Sequence, residues 1–359
     1  MAPACWNRVW QRSRYEQIED SGVNSLERVR ATVAFEKADR TPVIPQIFAH
    51  AAVLAGVPIA DYVRDGALLA RCQIEAVRHY GCDAAFAFMD ACVESEALGS
   101  DLAYHEQQYP QVVSYAFTPE VPVDRLSVPD PRCAGRMPEL LRATTLLRAE
   151  FEDELPVVGV VAGPMTLAQQ LAGPEAALFL AVDEPQRFED LLDFATRSAL
   201  RYGQALLAAG AHLAMVFDPA ASPAVVPPAF FRELLLPRLS ELFAAFKKAG
   251  ALATWLHIAG ATEQILGYYP QAGVDIANVD YDADPVRARQ ILSHTCLDGN
   301  IRPLSFVLGS ADEIATEGRR LVELFAEGGG FILSSGCEIP PEAKPENVAA
   351  LVSAVHGNS

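Results

Sequence analysis

Positive charge is scarce in this chain: 28 Lys and Arg stand against 46 Asp and Glu, a formal charge of −18. Such a surface repels nucleic acid and anionic lipid, so neither is expected as a partner. The seven cysteines form an odd set with no CxxC pair, and the opening MAPACWNRVWQRSRYEQIED carries charge where a secretory leader needs an apolar run. The expected location is cytoplasmic, with reduced thiols. Long apolar runs are missing too. The most apolar stretches, such as 206–217, are about a dozen residues, short of the roughly 20 that span a bilayer. Neither a repeat of 20–50 residues nor a low-complexity tract is visible. What remains is ample core material, with 51% hydrophobic and 21% charged residues in 359, enough for two average domains or one α/β barrel.

The region 1–40 reads as a helical N-terminal extension, with SLERVR at 25–30 as a capped amphipathic start that plugs or flanks a core. From 41 to 359, β-rich runs alternate with stretches of helical period. The runs are 42–48, 84–89, 156–162, 211–217, 253–258, 275–279, 295–297 and 330–333. Between them, 68–80, 185–209, 229–249, 285–292 and 311–327 place apolar residues at i, i+3, i+4 and i+7. Eight such units predict an α/β fold, a (β/α)8 TIM-type barrel. The alternating stretch near 100–120 predicts a ribbon inserted at the barrel mouth. The triple glycine at 328–330 precedes a strand rather than opening a helix, and so reads as a tight turn rather than a phosphate loop.

In a barrel of this kind the chemistry sits where strands end. The residues found there are Asp90, the Gly163-Pro164-Met165 step, Asp218, His257, Asp280, Asn300 and Cys337. Carboxylates, an imidazole, an amide and a thiol thus converge on one face, which points to an enzyme. Asp90 and Asp218 are the candidate catalytic groups, and Met165 and Asn300 the candidate cofactor-binding ones. Asp280 and Asn300 read equally well as turn or cap residues. His257 and Cys337 offer the two donor types that zinc prefers, although buried structural Cys and His are commoner than ligands.

Seven blocks carry a resemblance: DRTPVIPQ (39–46), YGCDAAFAFMDACVESEALG (80–99), AGPMTLAQQLAG (162–173), FDPAASP (217–223), LHIAG (256–260), GNIRP (299–303) and GGFILSSGCEIPPEAKPEN (329–347). In this order they resemble the uroporphyrinogen decarboxylase superfamily, and within it the corrinoid-dependent methyltransferases of the methylcobalamin:coenzyme M type. The likeness implies an α/β barrel and a cobalamin-dependent methyltransferase. It also implies a zinc ion held by a His-x-Cys pair and a distant Cys, and a small-molecule methyl donor or acceptor. With no Asp-x-His-x-x-Gly motif in the sequence, the corrinoid is expected either to be delivered by a separate protein or to bind directly and loosely at the barrel mouth. His257 and Cys337 match two of those ligands, but Ala259 stands where the middle cysteine should be. A third ligand would then come from an Asp or Glu or a further thiol, with Glu263, Asp218 and Cys92 as candidates. Arg302 also departs, since an acid often follows GN(I/V) in the methyltransferases. The alternatives are a decarboxylase acting on a polycarboxylate and a non-catalytic corrinoid-binding protein. Against the decarboxylase, no Arg lies between Arg40 and Arg64, where that branch clamps substrate carboxylates.

Overall fold

A computed structural model of the chain describes residues 22–118, 122–326 and 328–356. The part of the expected N-terminal extension before Gly22 lies outside these residues. Seven parallel strands form the main sheet: β1 Ala85–Ala87, β4 Val157–Ala162, β5 Leu213–Phe217, β6 Ala253–His257, β7 Ile276–Val279, β8 Cys296–Ile301 and β9 Phe331–Ser335, hydrogen-bonded in that order. A two-stranded antiparallel ribbon, β2 Asp101–His105 with β3 Gln108–Ser114, is inserted between β1 and β4. The run at 42–48 takes the eighth place. Val43 bridges Leu333 in parallel, while the Asp83 N–H donates to the Val43 carbonyl on the other side. This run makes a bridge rather than the expected full strand because Pro42 and Pro45 lack the N–H groups a ladder needs. The architecture is a TIM-type α/β barrel.

Alternation along the strands divides the core in two. Phe86, Val158, Val160, Leu213, Met215, Ala253, Trp255 and Ile276 fill the barrel interior. Val157, Val161, Ala214, Val216, Leu256 and Ala277 pack outward under the helices. On the β7–β9 side the interior turns polar, with Gln46, Asn278, Asp298, Ser334 and Ser335 all buried. β8 accordingly runs to Ile301, four residues beyond its expected end. The Asp-Gly-Asn at 298–300 continues the strand, with Asp298 accepting from Asn278 inside the barrel and Asn300 donating to loop carbonyls beyond β7.

The helix Ser25–Val33 opens with a capping box: the Asn24 side chain accepts from the Glu27 N–H and Glu27 reaches back to the Asn24 N–H. Val29 from this helix packs into the interior cluster and stoppers the end where the strands begin. Asp83 fastens it, accepting from Ser25, Arg28, Arg40 and the Val43 N–H at 2.6–2.8 Å. The helix expected over 229–249 is divided, with a π-helical turn at Phe231–Leu235 ahead of Leu236–Lys248. Pro237 explains the break, since it cannot donate to the preceding turn. Among the described residues no helix is long and apolar enough to cross a membrane.

Candidate active site

His257 ends β6 and is fully buried, with its ring stacked on Phe217 at 4.9 Å between centroids. Burial pushes its imidazole down to about 3, so the ring is neutral at physiological pH. Its Nε2 faces the Cys337 sulfur at 3.6 Å, although 80 residues separate the two. Burial pushes the Cys337 thiol up to about 11, and the neighbouring carboxylates of Glu338 and Asp280 add to the effect. The thiol therefore keeps its proton near neutrality unless a cation displaces it.

The pair has the spacing of two ligands on one ion. Tetrahedral zinc, with nitrogen at ~2.05 Å and sulfur at ~2.3 Å, sets those two atoms ~3.6 Å apart. The fit ends with two donors. Among the described residues no group of three His, Cys, Asp or Glu side chains could hold a metal ion, and Ala259 offers nothing at the middle position. The three candidate replacements are engaged elsewhere. Glu263 is paired with Arg287, Asp218 lies against a helix start, and the Cys92 sulfur faces the Pro110 carbonyl at 3.5 Å and Gln170 at 3.6 Å.

Asp90 follows β1 and is held at both oxygens by Arg136, at 2.5 and 3.1 Å, with a further bond from the Cys92 N–H at 2.8 Å. Arg136 also binds Glu96 and the Val63 carbonyl. Burial works against its charge, but Asp90 and Glu96 together hold the guanidinium well above its ordinary range. Asp218 follows β5 and accepts from the Thr166 N–H and hydroxyl, both at 2.7 Å, and from the Met165 N–H at 3.4 Å. It thereby anchors the N-terminus of the helix Pro164–Ala172. Gly163 permits this, since a Cβ there would lie 2.3 Å from the Asp218 side chain. Burial pushes the Asp218 carboxyl up to about 6, with the Thr166 bonds opposing. Met165 is fully buried in the first turn of that helix. Asn300 donates to the carbonyls of Asp280 and Ala283, and Asp280 accepts from the Gly260 N–H at 2.7 Å, so both fix loops around the pair.

Three features escaped the reading of strand ends. Asn278 and Asp298 lie inside strands, where Asn278 donates to Asp298 at 2.8 Å and burial pushes that carboxyl up to about 7. Their only signal was an amide and an acid interrupting apolar runs. Tyr109 of the ribbon donates to Glu338, next to Cys337, while its hydroxyl accepts from the Ala49 N–H. Beside Asn300 a cleft of about 510 Å³ opens, lined in part by Tyr281, Arg302, Ser305 and Arg320, with the Arg302 guanidinium over the Tyr281 ring.

Fold and site together define a TIM-type barrel protein with a neutral imidazole and a thiol at the C-terminal ends of its strands. The chain belongs to the uroporphyrinogen decarboxylase (URO-D) family, whose sequence profile matches residues 24–358. It is 29% identical over 315 residues to the methylcobamide:CoM methyltransferase MtaA of Methanosarcina barkeri, covering 86% of each chain. It is 30% identical over 296 residues to a uroporphyrinogen decarboxylase of Syntrophotalea carbinolica, covering 80% of this chain and 83% of that one. Among solved structures, a methyltransferase from Methanosarcina mazei superposes with a TM-score of 0.85 at 26% identity, over 92% of this chain and 98% of the other.

Proposed function

We propose that the protein transfers a methyl group between a small molecule and the cobalt of a corrinoid. The observation that carries this reading is the His257–Cys337 pair, with Nε2 and Sγ 3.6 Å apart at the barrel mouth. The methyltransferase relatives give that pair its chemical context. His257 Nε2 and Cys337 Sγ would be the chain's two donors to a zinc ion, which would need a further ligand and would supply Lewis acidity toward a substrate thiol. The chain's own residues do the rest. The neutral imidazole presents a lone pair, Phe217 holds the ring plane, and the buried surroundings keep water from the transferring group.

In this reading Asp90 and Asp218 act by position rather than as proton donors, since Arg136 and the 164–172 helix occupy their oxygens. Asn300 shapes the mouth by holding the 280–283 loop, and Met165 supports the mouth from beneath. The sequence contains no Asp-x-His-x-x-Gly motif to supply a lower cobalt ligand, so the corrinoid is a substrate either brought by a separate protein or bound directly and loosely at the mouth. A decarboxylase acting on a polycarboxylate is disfavoured. Residues 41–63 contain no Lys or Arg, and Arg136 is already neutralised by Asp90 and Glu96.

The test is to mix purified protein with methylcobalamin and coenzyme M and follow the corrinoid absorbance, alongside elemental analysis for zinc. Demethylation that is lost in Cys337→Ala supports transfer. Corrinoid binding without turnover would favour a carrier, and carbon dioxide release from a porphyrinogen would favour the decarboxylase. Ala259→Cys, which restores a third donor, is expected to raise zinc affinity above that of the wild type.

A further inference from the structure

One rung of the barrel links His257 to a buried amide and a buried acid. Phe217 is in register with His257, Leu256 with Ala277, and Asn278 with Asp298. Carried one residue beyond Leu256 and Ala277, the register sets Asn278 beside His257, so the rung runs Phe217, His257, Asn278, Asp298 across β5 to β8, with neighbouring strands ~4.8 Å apart. Asn278 donates its Nδ2 to Asp298 Oδ2 at 2.8 Å, and Gln46 donates to the same oxygen at 3.3 Å. Once ionised, above about pH 7, Asp298 only accepts, so the Asn278 amide turns its nitrogen toward β8 and its Oδ1 away from Asp298. Asn278 Oδ1 and His257 Nδ1 are both buried, and neither has a hydrogen-bond partner among the described residues. Phe217 covers one face of the imidazole, and Nε2 is already turned to Cys337.

We infer that Asn278, oriented by Asp298, is the positioning residue of His257. Its Oδ1 accepts, across one water, the hydrogen bond that starts at His257 Nδ1–H, and so fixes the tautomer whose Nε2 lone pair faces Cys337. An amide oxygen has no proton to give, so it pairs only with a protonated Nδ1. The inference rests on the proposed function only in taking His257 as the working imidazole.

The test reads the tautomer itself. In the ¹⁵N-labelled full chain at pH 8, long-range ¹H–¹⁵N correlations of the histidine rings are recorded, and His257 is identified by its loss in His257→Gln. The wild type is expected to show a protonated Nδ1 and a bare Nε2. In Asn278→Leu, or in Asn278→Ala if the first does not fold, the ratio of the two tautomers should move toward the Nε2–H form. A wild-type His257 protonated at Nε2, or a variant with an unshifted tautomer ratio, overturns the inference. Loss of methyl transfer with the Nδ1–H signature intact would remove the functional reading and leave this one standing.

Discussion

Two sets of polar groups at the C-terminal end of this barrel are equally buried and differently equipped. At Asp90 and Asp218 every carboxylate oxygen has a donor, from Arg136 and Cys92 in one case and from Thr166 and Met165 in the other. Along the rung of His257, Asn278 and Asp298, each side chain keeps one polar atom without a partner among the described residues. Buried groups that are fully partnered hold structure together, whereas unpartnered ones are costly to the fold and cluster where chemistry is done. On the proposed function, the difference sorts framework from working parts where residue type does not, since an aspartate appears in both sets.

Breaking the working set should cost most in activity and least in stability. His257→Ala and Cys337→Ala are expected to lower the rate of methylcobalamin demethylation by more than about 100-fold, since even the partners of metal ligands cost 10–100-fold. Their melting temperatures should stay near that of the wild type. Breaking the framework should do the reverse. Arg136→Met strands Asp90 without its cation and is expected to destabilise by ~3–5 kcal/mol, read from the urea midpoint. Asp218→Ala removes the acceptor from a helix start and should cost about 1–3 kcal/mol in the same measurement.

The smallest effect is a pH dependence. The Asp298 carboxyl, raised to about 7 when folded, keeps a proton that the unfolded chain releases near its ordinary value of 3.8. Its contribution to stability is therefore complete below that value and is lost as pH rises through about 7. Asp298→Asn removes this loss, so thermal melts should favour the variant more at pH 8 than at pH 5. His257 works in the opposite sense. Its contribution is complete above its ordinary 6.5 and is lost as pH falls toward about 3, so in His257→Gln the acid limb of the wild-type profile should flatten.

Most of the architecture was legible because a buried parallel sheet writes itself as apolar runs separated by helical periods. The end-of-strand rule then led to His257 and Cys337. It failed where polarity is spent inside a strand. Asn278 lies inside the expected run 275–279 and not at its end, and Asp298 falls just past the expected run 295–297, ahead of Asn300, so neither stands out until a neighbouring strand supplies the partner. Arg136 was illegible for another reason. It lies 46 residues from Asp90 in an irregular segment, and no local pattern announces an ion pair closed by tertiary folding. The first run shows the converse: its apolar residues promised a strand, and two prolines reduced it to a bridge.

The ribbon Asp101–Ser114 is a span of chain whose tip is exposed, yet Tyr109 ties it to Glu338, one residue from the thiol. Whatever lifts that ribbon must give up the Tyr109 hydrogen bond, leaving the Glu338 carboxyl, raised to about 7 by burial, with the Ala49 N–H and one donor fewer. The cover of the mouth and the bench on which the sulfur rests are therefore joined through the Tyr109 phenol, which carries any displacement at the rim to the loop after β9.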